Sequence, residues 1–348
     1  MPSTINEGYP PLPSATLQSI FDGFDVLPLT DKKAAIDRPH GLGAEAMRCL
    51  FCKAPSGAAT SVEHVIPQSL GNSQVVLPRG MICDPCNNYI ARKIEQPLLA
   101  HESFRNLRAW YRIPNKRGRH ASLYGIIPGI DIGVNFRIGQ DGPELQLERS
   151  GDAAAVQAHL QGAGEDGVTG ILFPRDMRPP ERQMSRLLAK IALEVFALRL
   201  SAIPAEVERL IDDPHWDPIR RWVRVGDNAD HWPFHMRQVY PEETLMTHPA
   251  SGDWVQAGYI IDLLLTRRRE HYIVLIFYGY EFALNLGGPS IKGYEEWLEE
   301  HPGLSPLIER LGLRLEADAD ATRLIGQPSL QAGVDFDLAQ GIEGLWDD

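Results

Sequence analysis

The 348-residue chain has no cysteine outside positions 49–86, which excludes a disulfide framework spread over the molecule. It also lacks a long apolar run. Its most apolar stretches, such as Tyr259-Ile-Ile-Asp-Leu-Leu-Leu-Thr266, are far shorter than the ~20 residues of a membrane span. The start, Met-Pro-Ser-Thr-Ile-Asn-Glu-Gly-Tyr, has neither a basic n-region nor an apolar h-region, which predicts no signal peptide and a cytoplasmic protein. Net positive charge is absent too. With 34 basic and 46 acidic residues the net charge is −12, so any nucleic-acid site must be a local patch. No internal repeat or low-complexity tract is present. What remains, 43% apolar and 23% charged residues, is ordinary for a globular protein with a substantial core. On length alone there is room for about two domains of ~150 residues.

Residues 1–40, rich in Pro, Ser and Asp, read as a mostly irregular lead-in. Residues 41–115 hold every cysteine. Within them Ser61 to Ile66 reads as a strand stopped by Pro67, and Val75 to Leu77 as a second. From Pro85 onward Tyr89, Ile90, Ile94 and Leu98 recur at helical spacing. Residues 120–317 read as a larger α+β domain. Ile130 to Ile138 alternates like a half-buried strand, and Leu145 and Leu147 begin its return. Arg182 to Leu200 is the clearest helix, with Met184, Leu187, Leu188, Ile191, Val195 and Leu198 on one stripe. Trp254 to Thr266 and His271 to Leu284 are β-rich runs joined at Arg267-Arg-Arg-Glu270. Short helices are expected over Glu295–Glu300 and Leu304–Leu311. Because hairpins join the strands, the sheet should be antiparallel. Residues 318–348 read as an acidic tail.

The cysteines form two Cys-x-x-Cys pairs, Cys49-Leu-Phe-Cys52 and Cys83-Asp-Pro-Cys86. Each such turn presents two sulfurs to one point about 2.3 Å away, which suits one tetrahedral structural Zn2+. In a reducing compartment this grouping favours metal over disulfide, with redox-active thiols the rival reading. Between the pairs lies Glu63-His64. Phosphodiester hydrolysis needs an activated water and a cation against charge building on the phosphate. A neutral histidine can take the proton, and a carboxylate and an amide can hold a hard divalent ion. Successive side chains of a flat strand face opposite ways, so Glu63 and His64 can serve one site only where the strand ends or twists, as Pro67 allows. Asn87, just after Cys86, can reach such an ion from the start of the helix.

At Cys-x-x-Cys, Glu63-His64-Val-Ile-Pro-Gln-Ser-Leu-Gly71 and Cys83-x-x-Cys86-Asn87 the chain resembles the HNH endonucleases. The resemblance covers about 50 residues, Cys49 to roughly Leu98, and says nothing of the rest. It implies a zinc-stabilised ββα-metal module ahead of the α+β domain. It also implies His64 as general base and Glu63 and Asn87 as ligands of a catalytic Mg2+ or another divalent ion. Many members carry a central asparagine five residues before the third cysteine. Here that position is Pro78, and Asn72 is the candidate to orient the loop instead. Asn88 is a weaker alternative to Asn87.

Between Arg92 and His120 stand Arg92, Lys93, Arg105, Arg108, Arg112, Lys116, Arg117 and Arg119 against only Glu95 and Glu102, with Trp110 and Tyr111 interleaved. Basic side chains neutralise phosphates and aromatics stack on bases, so this patch is the candidate surface for nucleic acid, DNA first. Arg267-Arg268-Arg269 is a second cluster, more simply a solvated hairpin tip. His231, His235 and His248 have no ligand spacing. These features point to a metal-dependent DNA endonuclease. The alternative is a catalytically degenerate zinc module that binds DNA or RNA without cleaving it.

Overall fold

The computed structural model describes residues 47–315, except 73–74, 112, 116, 140–141, 149–152, 163–170, 174–177, 202, 227–231, 242–245, 248–253, 256–258, 267 and 312–313. The expected lead-in and acidic tail lie outside the described residues, as do Arg112, Lys116, His231, His248 and Arg267. The architecture is α+β with antiparallel sheets. No helix among the described residues is long and apolar enough to cross a membrane.

The two expected N-terminal strands pair only briefly. His64 bridges Val76 in antiparallel fashion. The Val65 amide donates to the Val75 carbonyl at 3.0 Å, and Leu77 to that of Glu63 at 2.9 Å. Pro67 ends the first strand, and a single 3₁₀ turn, Gln68–Leu70, reverses the chain through Gly71 at φ 100°, a left-handed conformation that glycine adopts without strain. Helix α1 (Asp84–Ile90) follows, with Pro85 in its first turn, where a missing N–H leaves no intrahelical bond unmade. A π-helical turn, Ala91–Glu95, leads to α2 (Gln96–Ala100), and the Gln96 amide reaches back five residues to Ala91. Pro97 cannot donate to the preceding turn, and the wider winding before it accommodates its ring. Helix α3 (Glu102–Trp110) completes this part.

Strands β1 (Leu123–Ile127), β2 (Ile132–Gly139) and β3 (Gly142–Leu147) form an antiparallel meander. Helix α4 (Ala153–Gly162) covers it, Val156 packing with Ile127, Ile132 and Val134. Helix α5 (Glu181–Leu200) was expected to show one apolar stripe. Instead every residue from Met184 to Leu200 is buried. Its polar positions are not solvated but partnered inside the protein, as Arg186, Lys190 and Arg199 show.

Helices α6 (Pro204–Asp212) and α7 (Asp217–Arg224) were not anticipated from sequence. Pro204 and Pro218 each sit in a first helical turn, where proline is favoured. Strand β4 (His235–Gln238) then joins the main sheet. Strands β5 (Met246–Thr247) and β6 (Trp254–Val255) pair with each other in a separate small sheet that β10 (Arg314–Leu315) completes. The run expected from Trp254 to Thr266 is therefore divided, and the main sheet takes β7 (Tyr259–Leu265). The run from His271 to Leu284 is two strands, β8 (His271–Phe277) and β9 (Tyr280–Asn285). Tyr278 and Gly279, at φ 45° and 84°, make the tight turn between them.

The main sheet has the order β4-β9-β8-β7. Its central strand β8 is buried throughout because both faces are covered. Ile273, Leu275 and Phe277 join the core around α5, while Tyr272, Val274 and Ile276 face Tyr294, Leu307 and Ile308 of α8 (Lys292–Glu300) and α9 (Pro306–Leu311). The core around α5 is continuous from Met47 to Leu286, so the cysteine-bearing part and the main sheet share one interior.

Candidate active site

The four cysteines converge: their sulfurs all lie within 4.8 Å of one another, with Cys52 and Cys83 at 3.6 Å. Four sulfurs each about 2.3 Å from one metal stand ~3.8 Å apart, so the group has the dimensions of a tetrahedral site. The chemistry agrees. A hydrogen bond from Cys86 holds the Cys49 thiol down at about 5. Burial, together with the Cys49 charge, pushes Cys83 up to about 11. The Cys49 hydrogen bond, then burial, raises Cys86 further still. Burial and the crowding of thiols thus oppose charge on Cys83 and Cys86, which a cation among them would offset. The cysteines form a group that can bind zinc.

The turn carrying Cys49 and Cys52 is braced by α6 and α7. Arg220, 3% exposed, donates from Nε to the Leu50 carbonyl at 2.8 Å and also reaches the carbonyls of Leu210 and Asp213. Arg48 meets Asp212 at 2.7 Å and Lys53 meets Asp217 at 2.6 Å on the rim. These outer pairs are solvated and contribute little.

Asp84, the first residue of α1, ties the helix to the segment that leads into Glu63-His64. Its carboxylate accepts from the amides and hydroxyls of Thr60 and Ser61, at 2.5–3.1 Å. Those bonds, the Ser61 hydroxyl foremost, hold its carboxyl down at about 2.

Asn72 occupies the centre of the hairpin loop, 0% exposed. Its amide donates to the carbonyls of Ile66 and Val75 and accepts from the Val75 amide, each at 2.8 Å. The Tyr259 hydroxyl of β7 donates to the same side-chain oxygen at 3.3 Å. Asn72 thus cross-links the two ends of the loop. A buried backbone group left unpaired costs about 1–3 kcal/mol, so Asn72→Ala is expected to destabilise the protein by ~2 kcal/mol or more. A lower denaturant midpoint at unchanged m-value would register this; an unaltered midpoint would contradict the cross-link.

His64 and Glu63 are each 7% exposed, and Asn87 is half-buried in the first turn of α1. Their neighbourhood holds a group that the sequence reading did not single out. Lys190 of α5, 0% exposed, places its ammonium 2.6 Å from the Glu63 carboxylate, 2.9 Å from Glu194 and 3.7 Å from Glu95. It also donates to the main-chain carbonyls of His64 and Val65, at 2.6 and 3.0 Å. Burial alone would depress the lysine, but the carboxylates outweigh it and hold it charged. Burial pushes the Glu194 carboxyl well above its ordinary range. The signal in the sequence was Lys190 and Glu194, four residues apart and flanked by apolar residues on the helix.

The basic residues divide. Arg92 and Lys93 are exposed on the π-helical turn directly after α1, and Arg117 and Arg119 are exposed around Asn115. Arg105 is half-buried, its guanidinium 5.2 Å from the centre of the Tyr124 ring. Arg108 departs from the phosphate-facing reading: it is 8% exposed, and burial lowers its pKa. Tyr111 is committed to a stack on Tyr278, centroids 4.0 Å apart, whereas Trp110 stays 37% exposed. At the β7–β8 hairpin Arg268 pairs with Glu296, a solvated contact.

A short hairpin, a four-cysteine cluster and the helix that follows it form one ββα module. Residues 49–103 match the HNH endonuclease family, which bears out the resemblance read from the motifs. No match is found among curated proteins or solved structures.

Proposed function

We propose that the protein is a metal-dependent endonuclease that hydrolyses phosphodiester bonds in DNA. The observation that carries this reading is the hairpin itself: His64 sits in a strand held in register by Asn72 and leashed to α1 by Asp84, beside a cysteine cluster of metal-site dimensions. Cys49, Cys52, Cys83 and Cys86 would hold a structural zinc that pins the hairpin to the helix. His64 takes the proton from the attacking water. Glu63 and Asn87 offer oxygen ligands of the hard kind that suit Mg2+. Such an ion, when bound, supplies charge against the developing phosphorane. The expected units, residues 41–115 for cleavage and 120–317 for support or substrate selection, would then differ in role while sharing a core. The test is nicking of plasmid DNA with Mg2+ or Mn2+: cleavage that His64→Ala does not diminish would sink the proposal.

One observation favours a second reading. The Glu63 carboxylate already faces a resident cation, Lys190, at 2.6 Å. If that pair occupies the ligand position, the module binds DNA or RNA without cutting it, and wild-type protein should bind but leave plasmid intact.

In either reading Arg92 and Lys93 are the exposed cations nearest α1 and should contact phosphate. Each phosphate contact contributes ~0.9 to the slope of log affinity against log salt, so removing both charges should flatten it by up to about 2. An unchanged slope would return them to plain solvated residues.

A further inference from the structure

Lys190 poses a physical question. Taking an ammonium out of water costs several kcal/mol, and well-packed apolar residues commonly replace buried ion pairs without loss. A methionine would fill the same space in a helix whose neighbours Leu187, Leu188 and Ile191 are all 0% exposed, but it would leave Glu63, Glu194 and Glu95 without their cation. What an apolar side chain cannot do is donate in fixed directions. Lys190 donates to the carbonyls of two consecutive residues, His64 and Val65, and to the carboxylate of a third, Glu63. Consecutive carbonyls of a flat strand point to opposite sides. Both can meet one ammonium only where the chain is turned out of the flat conformation. That turn is what Glu63-His64 needs if neighbouring side chains are to leave their strictly opposed directions. Tyr259 of β7 adds a second hold, on Asn72 at the other end of the same strand and loop.

We propose that Lys190 is a positioning residue of the catalytic hairpin, fixing the backbone at His64-Val65 and the Glu63 carboxylate. Helix α5, beyond the residues that match the family, is then a working part of the nuclease centre. The proposal rests on the nuclease reading for its catalytic consequence, but its structural core can be tested without cleavage.

The experiment compares full-length Lys190→Met, Lys190→Arg and Leu200→Ala with wild type. Leu200 is 2% exposed in the same helix. At ten residues' remove it lies about 15 Å along the axis and controls for loss of stability alone. Amide hydrogen exchange is read at Val65 and Leu77, which close the hairpin, and at Lys53, whose amide donates to Cys49 in the cysteine turn. In Lys190→Met, exchange at Val65 and Leu77 should quicken by about tenfold or more while Lys53 is unchanged. Lys190→Arg should restore most of the protection, and Leu200→Ala should show no selective change. Nicking by Lys190→Met should fall in kcat by at least about tenfold at unchanged KM for DNA, the split expected when geometry rather than binding is lost. Hairpin amides of Lys190→Met that exchange as in wild type, or no faster than in Leu200→Ala, would overturn the proposal. If wild-type protein does not nick, the nuclease reading fails by itself, and the exchange data still decide whether Lys190 holds the hairpin.

Discussion

Replacing His64 by alanine should lower the rate of plasmid nicking by about 10²–10⁴-fold, the usual contribution of a positioned general base. Two main-chain interactions anchor residue 64: its bridge to Val76 and its carbonyl's bond from Lys190 at 2.6 Å. Alanine keeps both. The variant therefore deletes the imidazole and leaves the register of the hairpin, with Leu77 still donating to Glu63 and Val65 to Val75. Zinc content should stay at wild-type level, and DNA affinity should change little because the exposed cations, Arg92 and Lys93, are untouched. The informative result is a loss confined to kcat. Equal nicking by both proteins would assign the cleavage to a contaminant or another residue. A parallel loss of binding would place His64 in substrate contact instead. Binding by wild-type protein with no nicking in either would favour the degenerate reading and cast the Glu63–Lys190 pair as a permanent closure of the ligand position.

Local signals in the sequence located the site's frame, and non-local ones were lost. The cysteine pairs were legible because each Cys-x-x-Cys turn is set by its own four residues, and only their convergence needed the fold. Helix α5 was legible to within a residue at its start, since Pro180 precedes it and a long apolar period follows. Its all-round burial was not legible, because a stripe of period 3.6 predicts one buried face, while here the opposite face is covered by the hairpin module. Asn72 was read as a possible substitute at the loop and is seen cross-linking it. Lys190 escaped because its partners lie 125 and 126 residues away in the chain. The β8–β9 turn escaped for the opposite reason: Tyr278-Gly279 is short and sits inside a continuous aromatic and apolar run, so only its positive φ values reveal it. Arg105 and Arg108 matched the helical spacing of a solvated face, yet tertiary packing placed one over Tyr124 and the other in the interior.

If zinc occupies the four cysteines as proposed, stripping it should have the largest effect on structure. Structural zinc contributes about 10–16 kcal/mol of apparent folding free energy in small zinc modules at neutral pH. Whole proteins are stable by only ~5–15 kcal/mol, so a module that depends on such a site cannot hold its form without it. Here the dependence should be local. The hairpin has few ladder bonds of its own, and the turn at Cys49–Lys53 is closed by short contacts around the sulfurs. By contrast the β7–β9 strands are covered on both faces by apolar side chains, from α5 on one side and from Tyr294, Leu307 and Ile308 on the other. Cys86→Ser, or a strong chelator, should therefore split unfolding into two steps. The first, at markedly lower temperature, would free residues 49–90 and uncover the face of α5 that they bury; the second, the sheet with what stays packed on it, would follow at higher temperature. Rapid tryptic cleavage after Lys53 and Arg79 should mark the first step. Because protons compete with metal for the thiolates, release by a given chelator should become easier as pH falls, and more so with Cys83 and Cys86 already raised by their surroundings. Metal analysis showing no zinc in purified protein, or a chelated protein that still melts in one unshifted step, would remove the cysteine cluster from its role as the clamp on His64.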